Sequence, residues 1–152
     1  MLGCRKHCLH TYRYKVSLRI YHPAEAPSAF TEALGLEPDF QHMVGLPRVN
    51  RRSQPLPGKY EESYWSYAFD IPADTDLEDF LLSVTARLAA YAPFFSRISS
   101  SGGRAELFIG FFVEGFNCGF SLAPELHRQC AALGLGMDFD IYGLCNNAEP
   151  AA

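Results

Sequence analysis

Ser17-Leu18-Arg19-Ile20-Tyr21-His22-Pro23 runs on to Leu34-Gly35-Leu36, and Cys118-Gly119-Phe120-Ser121-Leu122-Ala123-Pro124 runs on to Leu133-Gly134-Leu135. Each copy reads as a strand, a proline-opened helix, a glycine stop and a second strand. Proline is tolerated in the first helical turn, and glycine takes the left-handed turn that ends a helix. Two related β-α-β units feeding one sheet are therefore expected. Around the first copy, Tyr14, Val16, Leu18, Ile20 and His22 alternate with Lys15, Ser17, Arg19 and Tyr21, the period of a strand with one buried face. Pro23 ends that strand. Phe30 and Leu34, four apart, mark a short helix over residues 24–34 that Gly35 stops.

Trp65, Tyr67, Phe69 and Ile71 alternate with Ser66, Ala68 and Asp70 in a second clear strand, closed by Pro72. Thr75-Asp76-Leu77-Glu78 matches a capping box, which opens a helix carrying Leu77, Phe80, Leu81, Val84, Leu88 and Tyr91 on one face. Pro93 is expected to stop it, and Ser99–Gly103 reads as a flexible turn. Ala105–Val113 is apolar at nearly every position and belongs at the sheet centre. The second repeated helix carries Leu126, Cys130 and Leu133; Met137, Phe139 and Ile141 then alternate with Asp138, Asp140 and Tyr142 in a last strand. The predicted order is β-α-β-β-α-β-β-α-β. It gives an α+β two-layer sandwich with a mostly antiparallel sheet, helices on one face and a ferredoxin-like plan. Residues 1–11 read as a flexible arm, 12–145 as a single domain and 146–152 as a frayed tail.

At 152 residues and 48% hydrophobic content, with twelve Phe, the chain can bury a real core. Its net charge of −4 hides an asymmetry: residues 1–60 carry nine Lys/Arg against four Asp/Glu, and residues 61–152 carry four against thirteen. The acidic balance argues against nucleic acid, and no run reaches the roughly 18 apolar residues of a membrane span. The chain opens with no apolar leader, and its five cysteines are odd in number, so reduced thiols and a cytoplasmic protein are expected.

Gly45, Pro47, Pro55, Pro57 and Gly58 break regular structure over residues 44–60, although Met43–Val49 is expected to pair as a short edge strand. Arg48, Arg51, Arg52 and Lys59 meet no acid between Phe40 and Tyr60. This basic loop, with Tyr60 and Tyr64 at its exit, is the first candidate binding surface. Arginine and aromatic side chains anchor protein interfaces, so a protein partner is expected there. Trp65 and Tyr67 lie on the apolar face of their strand and read as core. The second candidate surface is the polar sheet face, where Arg19, Tyr21, Asp138 and Asp140 are expected to converge on a small ligand. Two carboxylates on one strand face raise each other's proton affinity and can do acid–base work or hold a cation. Here Arg19 and Lys15 are expected to neutralise Asp138 and Asp140 across the sheet.

Cys4, His7, Cys8 and His10 crowd into seven residues, without the second, separated ligand pair of structural zinc, so no metal is expected. No P-loop, nucleophile elbow, H-E-x-x-H or Gly-rich dinucleotide turn is present. No catalytic residue and no cofactor is therefore assigned. An enzyme would have to draw on Asp138, Asp140 or the strand-end His22, and that reading ranks third.

Four stretches also carry a resemblance: Tyr14 to Pro23, Leu34 to Pro38, Leu56 to Tyr60 followed by Ser63-Tyr64-Trp65, and Leu133 to Tyr142. Together, over about residues 12–143, they resemble the bacterial family catalogued as domain of unknown function 4279. The resemblance implies a small bacterial cytosolic protein and transfers no activity or site. The leading expectation is a non-catalytic binding module, of immunity or accessory type, that engages a protein through residues 44–60. A metabolite sensor using the polar sheet face stands second, and the oligomeric state is left open.

Overall fold

The computed structural model describes residues 12–115 and 117–143, and in it the first alternating run becomes β1 (Tyr12–His22), two residues longer than its sequence pattern. Val16, Leu18, Ile20 and His22 are buried on one face of β1, while Arg13 and Lys15 are exposed on the other. The chain continues through α1 (Pro27–Leu34), β2 (Phe40–His42), β3 (Pro47–Val49), β4 (Pro55–Lys59) and β5 (Ser63–Ala68). Next come α2 (Leu77–Leu88), a 3-10 turn (Ala89–Tyr91), α3 (Ala92–Ser100), β6 (Arg104–Val113), α4 (Pro124–Leu133) and β7 (Leu135–Tyr142). Five strands form one sheet in the order β2-β5-β1-β6-β7, antiparallel except for the β6–β7 pair. β3 and β4 form a separate antiparallel hairpin. The class is thus a mixed α/β fold on a mainly antiparallel sheet.

The duplicated pattern is realised in the helices. α1 and α4 both follow an extended alanine (Ala26, Ala123), both open on proline (Pro27, Pro124), and both end on a glycine with φ of 64° (Gly35, Gly134). Two details differ from the sequence reading. Pro27, not Pro23, opens α1. Cys118–Leu122 is not a strand, because Phe120 packs against Phe111 and Phe139 at ring separations of 4.9 and 5.5 Å, laying this segment over the sheet instead of within it. The strand that leads the second unit is β6. In each unit the two strands run parallel: β6 and β7 are neighbours, whereas β1 and β2 are separated by β5.

The predicted capping box does not form either. Asp76 is the N-cap and makes no side-chain cap bond, and the Glu78 carboxylate instead accepts the Ala123 N–H at 2.5 Å, tying α2 to the start of α4. The Tyr12 hydroxyl donates to Asp76 Oδ1 at 2.9 Å, and that of Tyr14 to the Thr75 carbonyl at 2.7 Å. Pro93 does not end a helix; it sits in the first turn of α3, where a missing N–H costs nothing. Ser99 and Ser100 belong to α3, so the turn is confined to Ser101 and Gly102.

All four α-helices contribute to one core. Phe30 and Leu34 of α1, Leu81 and Val84 of α2, Phe95 and Ile98 of α3, and Leu126 and Cys130 of α4 join Leu18, Trp65, Leu107 and Ile109 of the sheet. Among the described residues no helix is long and apolar enough to cross a membrane. The arm at 1–11, with Cys4, His7, Cys8 and His10, and the chain from 144 onward lie outside the described residues.

The basic loop is more ordered than its prolines predict. Pro47 pairs with Lys59 and Val49 with Pro55, an isolated two-stranded ladder in which proline is tolerated because no central strand needs its missing N–H. The main sheet's edge strand is Phe40–His42, not Met43–Val49. At the hairpin tip Asn50 Oδ1 accepts the N–H groups of Arg52 and Gln54 at 2.8 and 3.0 Å, an Asx-type turn that holds Ser53 at a φ of 59°.

Candidate functional site

The face of the sheet turned away from the helices is the candidate site. Period-two geometry and the strand register place its side chains in rows. Phe40, Ser66, Arg19, Glu106 and Gly136 form one row, and His42, Tyr64, Tyr21 and Arg104 form the next. Rings cover much of this surface. Tyr60 stacks on His42 at 3.7 Å, and Tyr64 lies 5.4 Å from His42, 5.9 Å from Phe40 and 5.0 Å from Tyr21. Toward the other edge Tyr142 stacks on Phe112 at 4.9 Å.

Cations lie on these rings. The Arg104 guanidinium stands 3.8 Å over Tyr21 and is gripped by both Glu62 oxygens at 2.7 and 2.9 Å. That of Arg19 stands 3.3 Å over Phe108. The expected neutralisation of Asp138 and Asp140 by Arg19 and Lys15 is not formed, because β6 runs between β1 and β7 and interposes Phe108 and Gly110. Asp140 instead accepts the Tyr142 hydroxyl, and both aspartates are exposed on the edge strand.

These contacts set the local proton affinities. Burial, then the Glu106 carboxylate that accepts its hydroxyl at 3.2 Å, pushes Tyr21 up. The bond to Asp140 raises Tyr142, while the charges of Arg19 and Arg51 pull it the other way. Burial lowers His42, against the opposing pull of Glu62. Two buried side-chain atoms among the described residues lack a hydrogen-bond partner, Arg19 Nε and His42 Nδ1, and both residues belong to this face.

The hairpin rises from the edge of the same surface. Gly45 N–H donates to the Tyr60 carbonyl at 2.8 Å, Tyr60 N–H to the Leu46 carbonyl at 3.0 Å, and Val49 N–H to the Tyr60 hydroxyl at 3.2 Å. Tyr60 thereby anchors the hairpin on His42. Arg51, at the tip, lines a cavity of about 480 Å³ with Phe40 and Tyr64. The structure therefore joins the two sets that the sequence kept apart: Arg51, Tyr60 and Tyr64 of the basic segment meet the sheet that carries Arg19 and Tyr21. Arg48, Arg52 and Lys59 are exposed on the hairpin itself, as are Leu46, Val49 and Leu56.

Other candidates resolve differently. His22 is only 5% exposed; its Nδ1 accepts the N–H groups of Ala24 and Glu25 at 3.1 and 2.8 Å, and Nε2 lies 3.0 Å from Ser101 Oγ. It straps the end of β1 to α3 and stands outside the site. Trp65 is core as expected, and Tyr67 is half-buried against it. A second cleft of about 630 Å³, lined by Tyr12–Lys15, Ile71–Thr75 and Phe112, opens near the other end of β1. There burial, with Asp76 and Asp79, pushes Tyr14 up to about 12. Among the described residues no three of His, Cys, Asp and Glu cluster closely enough to hold a metal ion.

Sequence reasoning missed Phe40, His42, Glu106 and Phe108. The i, i+2 spacing of Phe40 and His42 is a strand signal, though a three-residue strand is too short to announce itself. Phe108 is hidden in an all-apolar run.

The Arg104 pair gives a pH test. Its hydrogen bonds hold the Glu62 carboxyl below the usual carboxylate range. A depressed carboxylate adds stability above its unfolded value, about 4.3, and that stability is lost as pH falls through the folded-state value. More than a third of each side chain is open to solvent, so Glu62→Gln is expected to cost up to about 1 kcal/mol at pH 7. The difference should shrink as pH falls below the unfolded value and Glu62 takes up its proton. Urea unfolding at neutral pH and below that value checks this.

The fold and site define a small mixed α/β domain with one helix-covered sheet face and one open, aromatic face that carries cations. The chain belongs to the family described as Domain of unknown function (DUF4279), whose profile matches residues 10–144. Comparison with curated proteins and with solved structures finds no match.

Proposed function

We propose that this chain is a non-catalytic, cytoplasmic binding module that engages an acidic protein partner through the β3–β4 hairpin, in the manner of an immunity or accessory factor. One contrast carries the reading. Arg13, Arg97, Arg104 and Arg128 each hold a glutamate, whereas among the described residues no ion pair reaches Arg48, Arg51, Arg52 or Lys59. Unpaired cations beside exposed Leu46, Val49 and Leu56 make a mixed charged and apolar patch, the composition of a contact surface. Free thiols at Cys118 and Cys130 fit a reducing compartment. The topology also supports the ferredoxin-like plan. β1-α1-β2-β5-α2-β6 gives the strand order β6-β1-β5-β2 around a split β-α-β unit, with α4 and β7 as an added parallel edge.

Co-purification from the native host tests the partner contact. The wild type is expected to retain an acidic protein that the Arg48/Arg52/Lys59→Ala variant loses by about ten-fold or more, and high salt should weaken the capture. Undiminished capture by the triple variant would remove the hairpin as the contact.

A further inference from the structure

We propose that the trough between the open sheet face and the hairpin tip binds a planar aromatic anion, with its ring against Phe40 and Tyr64 and its negative group on Arg51. This ligand site is separate from the hairpin's outer surface and does not depend on the protein contact proposed above.

The floor of the trough explains its shape. Between Phe40 and Arg19 the row is filled only by Ser66, and in the next row Ala68 and Ser17 are equally small before Phe108 of β6. Phe40 and Arg19 lie two strand spacings apart, roughly 10 Å, enough for a fused ring between them. Arg51 closes the space from above, and its cavity of about 480 Å³ falls in the range of small-molecule sites.

The polar groups select the charge. One cation, Arg51, lines this space, while the Arg19 guanidinium is turned over Phe108 of β6. The nearer acids are engaged: Glu62 holds Arg104, Glu106 accepts the Tyr21 hydroxyl, and Asp39 accepts the Ala68 N–H. Asp138 and Asp140 stand on the far edge strand, three strands from Tyr64. An anion is thereby drawn to Arg51, beside Phe40 and Tyr64. His42 stacks on both Tyr60 and Tyr64 and so stiffens the aromatic wall. The aromatic walls favour a ring over a bare phosphate. The acids of β7 block the path that successive phosphates of a polynucleotide would follow.

Titration with naphthalene carboxylate and its neutral counterpart naphthalene methanol, followed by NMR on the intact chain, tests the site. The carboxylate is expected to bind saturably and to shift the Phe40 and Tyr64 ring signals, with the alcohol binding about ten-fold more weakly or less. Arg51→Ala should weaken the carboxylate by about ten-fold, while Arg128→Ala on α4 leaves it unchanged. The Arg48/Arg52/Lys59→Ala variant should keep carboxylate binding, which separates this result from that of the partner contact. Absence of saturable binding at millimolar carboxylate, equal binding of the alcohol, or indifference to Arg51→Ala would each overturn the proposal. Tighter binding of oligouridylate than of the carboxylate would also overturn it and assign the face to single-stranded nucleic acid.

Discussion

Replacing Trp65 with alanine is expected to lower stability by about 3–5 kcal/mol, the largest effect of any single side chain considered. Trp65 is fully buried in β5, opposite Ile20 of the central strand. Its indole N–H donates to Thr31 Oγ1 at 3.0 Å, which clips α1 onto the sheet. Alanine would remove the ring's apolar contacts, leave a cavity and strip a half-buried hydroxyl of its donor. Domains of this size are stable by roughly 5–15 kcal/mol, so the variant should be marginal or unfolded near 37 °C. Thr31→Val isolates the hydrogen bond and should cost about 1 kcal/mol. Because Trp65 is the only tryptophan, urea unfolding should be followed by far-UV circular dichroism. A loss under about 1 kcal/mol for Trp65→Ala would show that α1 does not pack on β5 as described.

Gly103→Ala is expected to cost about 1–3 kcal/mol or more for a steric reason. A β-carbon there would stand 2.7 Å from His22 Cδ2, 2.8 Å from Ile98 Cγ2 and 2.8 Å from the Tyr21 carbonyl oxygen. One neighbour is backbone of the central strand, another is fully buried, and the third is an imidazole held by three polar contacts. None can move without breaking something else. The Gly103 N–H bond to the Ile98 carbonyl at 2.9 Å pins the residue in place. Gly102 offers a control: its φ is 91°, and the nearest atom to an added β-carbon is 3.6 Å away. Gly102→Ala therefore pays only a conformational cost of about 1–2 kcal/mol. Denaturant midpoints for the two variants, at unchanged slope, give the comparison. A smaller loss at Gly103 than at Gly102 would contradict the close approach of β1 and the α3 terminus.

The parts of the fold that were legible in the sequence are those with local causes. β1 and β5 announce themselves because burial on one face imposes alternation on consecutive residues. The twin ends of α1 and α4 are legible because only glycine takes the left-handed stop without strain. Illegible features were decided by distant groups. Glu78 fits a capping box, yet the Ala123 N–H, 45 residues away, takes its carboxylate. The prolines of the 47–59 segment would break a central strand, but they pair in a ladder with no outer neighbours.

The candidate site divides in the same way. Arg19, Tyr21, Arg51, Tyr60 and Tyr64 were identifiable by residue type and position. Their convergence depends on a hairpin folding back over the sheet, which no local pattern encodes. The ion pair assigned to Arg19 and Asp138 failed over a matter of strand order. A reading that knows both strands share a sheet, but not that β6 separates them, places the charges one strand too close.

The position of β1 also bears on how the chain is made. It is the first described strand to be synthesised and the innermost in the sheet, with Tyr12 opposite Val113 and Tyr21 opposite Arg104. At a ribosomal pace of about 5–20 residues per second, its second neighbour emerges roughly 5–20 seconds after β1 does. Through that interval Val16, Leu18 and Ile20 face the cell with one edge of their ladder bare. The second edge of the central strand can close only once residue 113 has emerged.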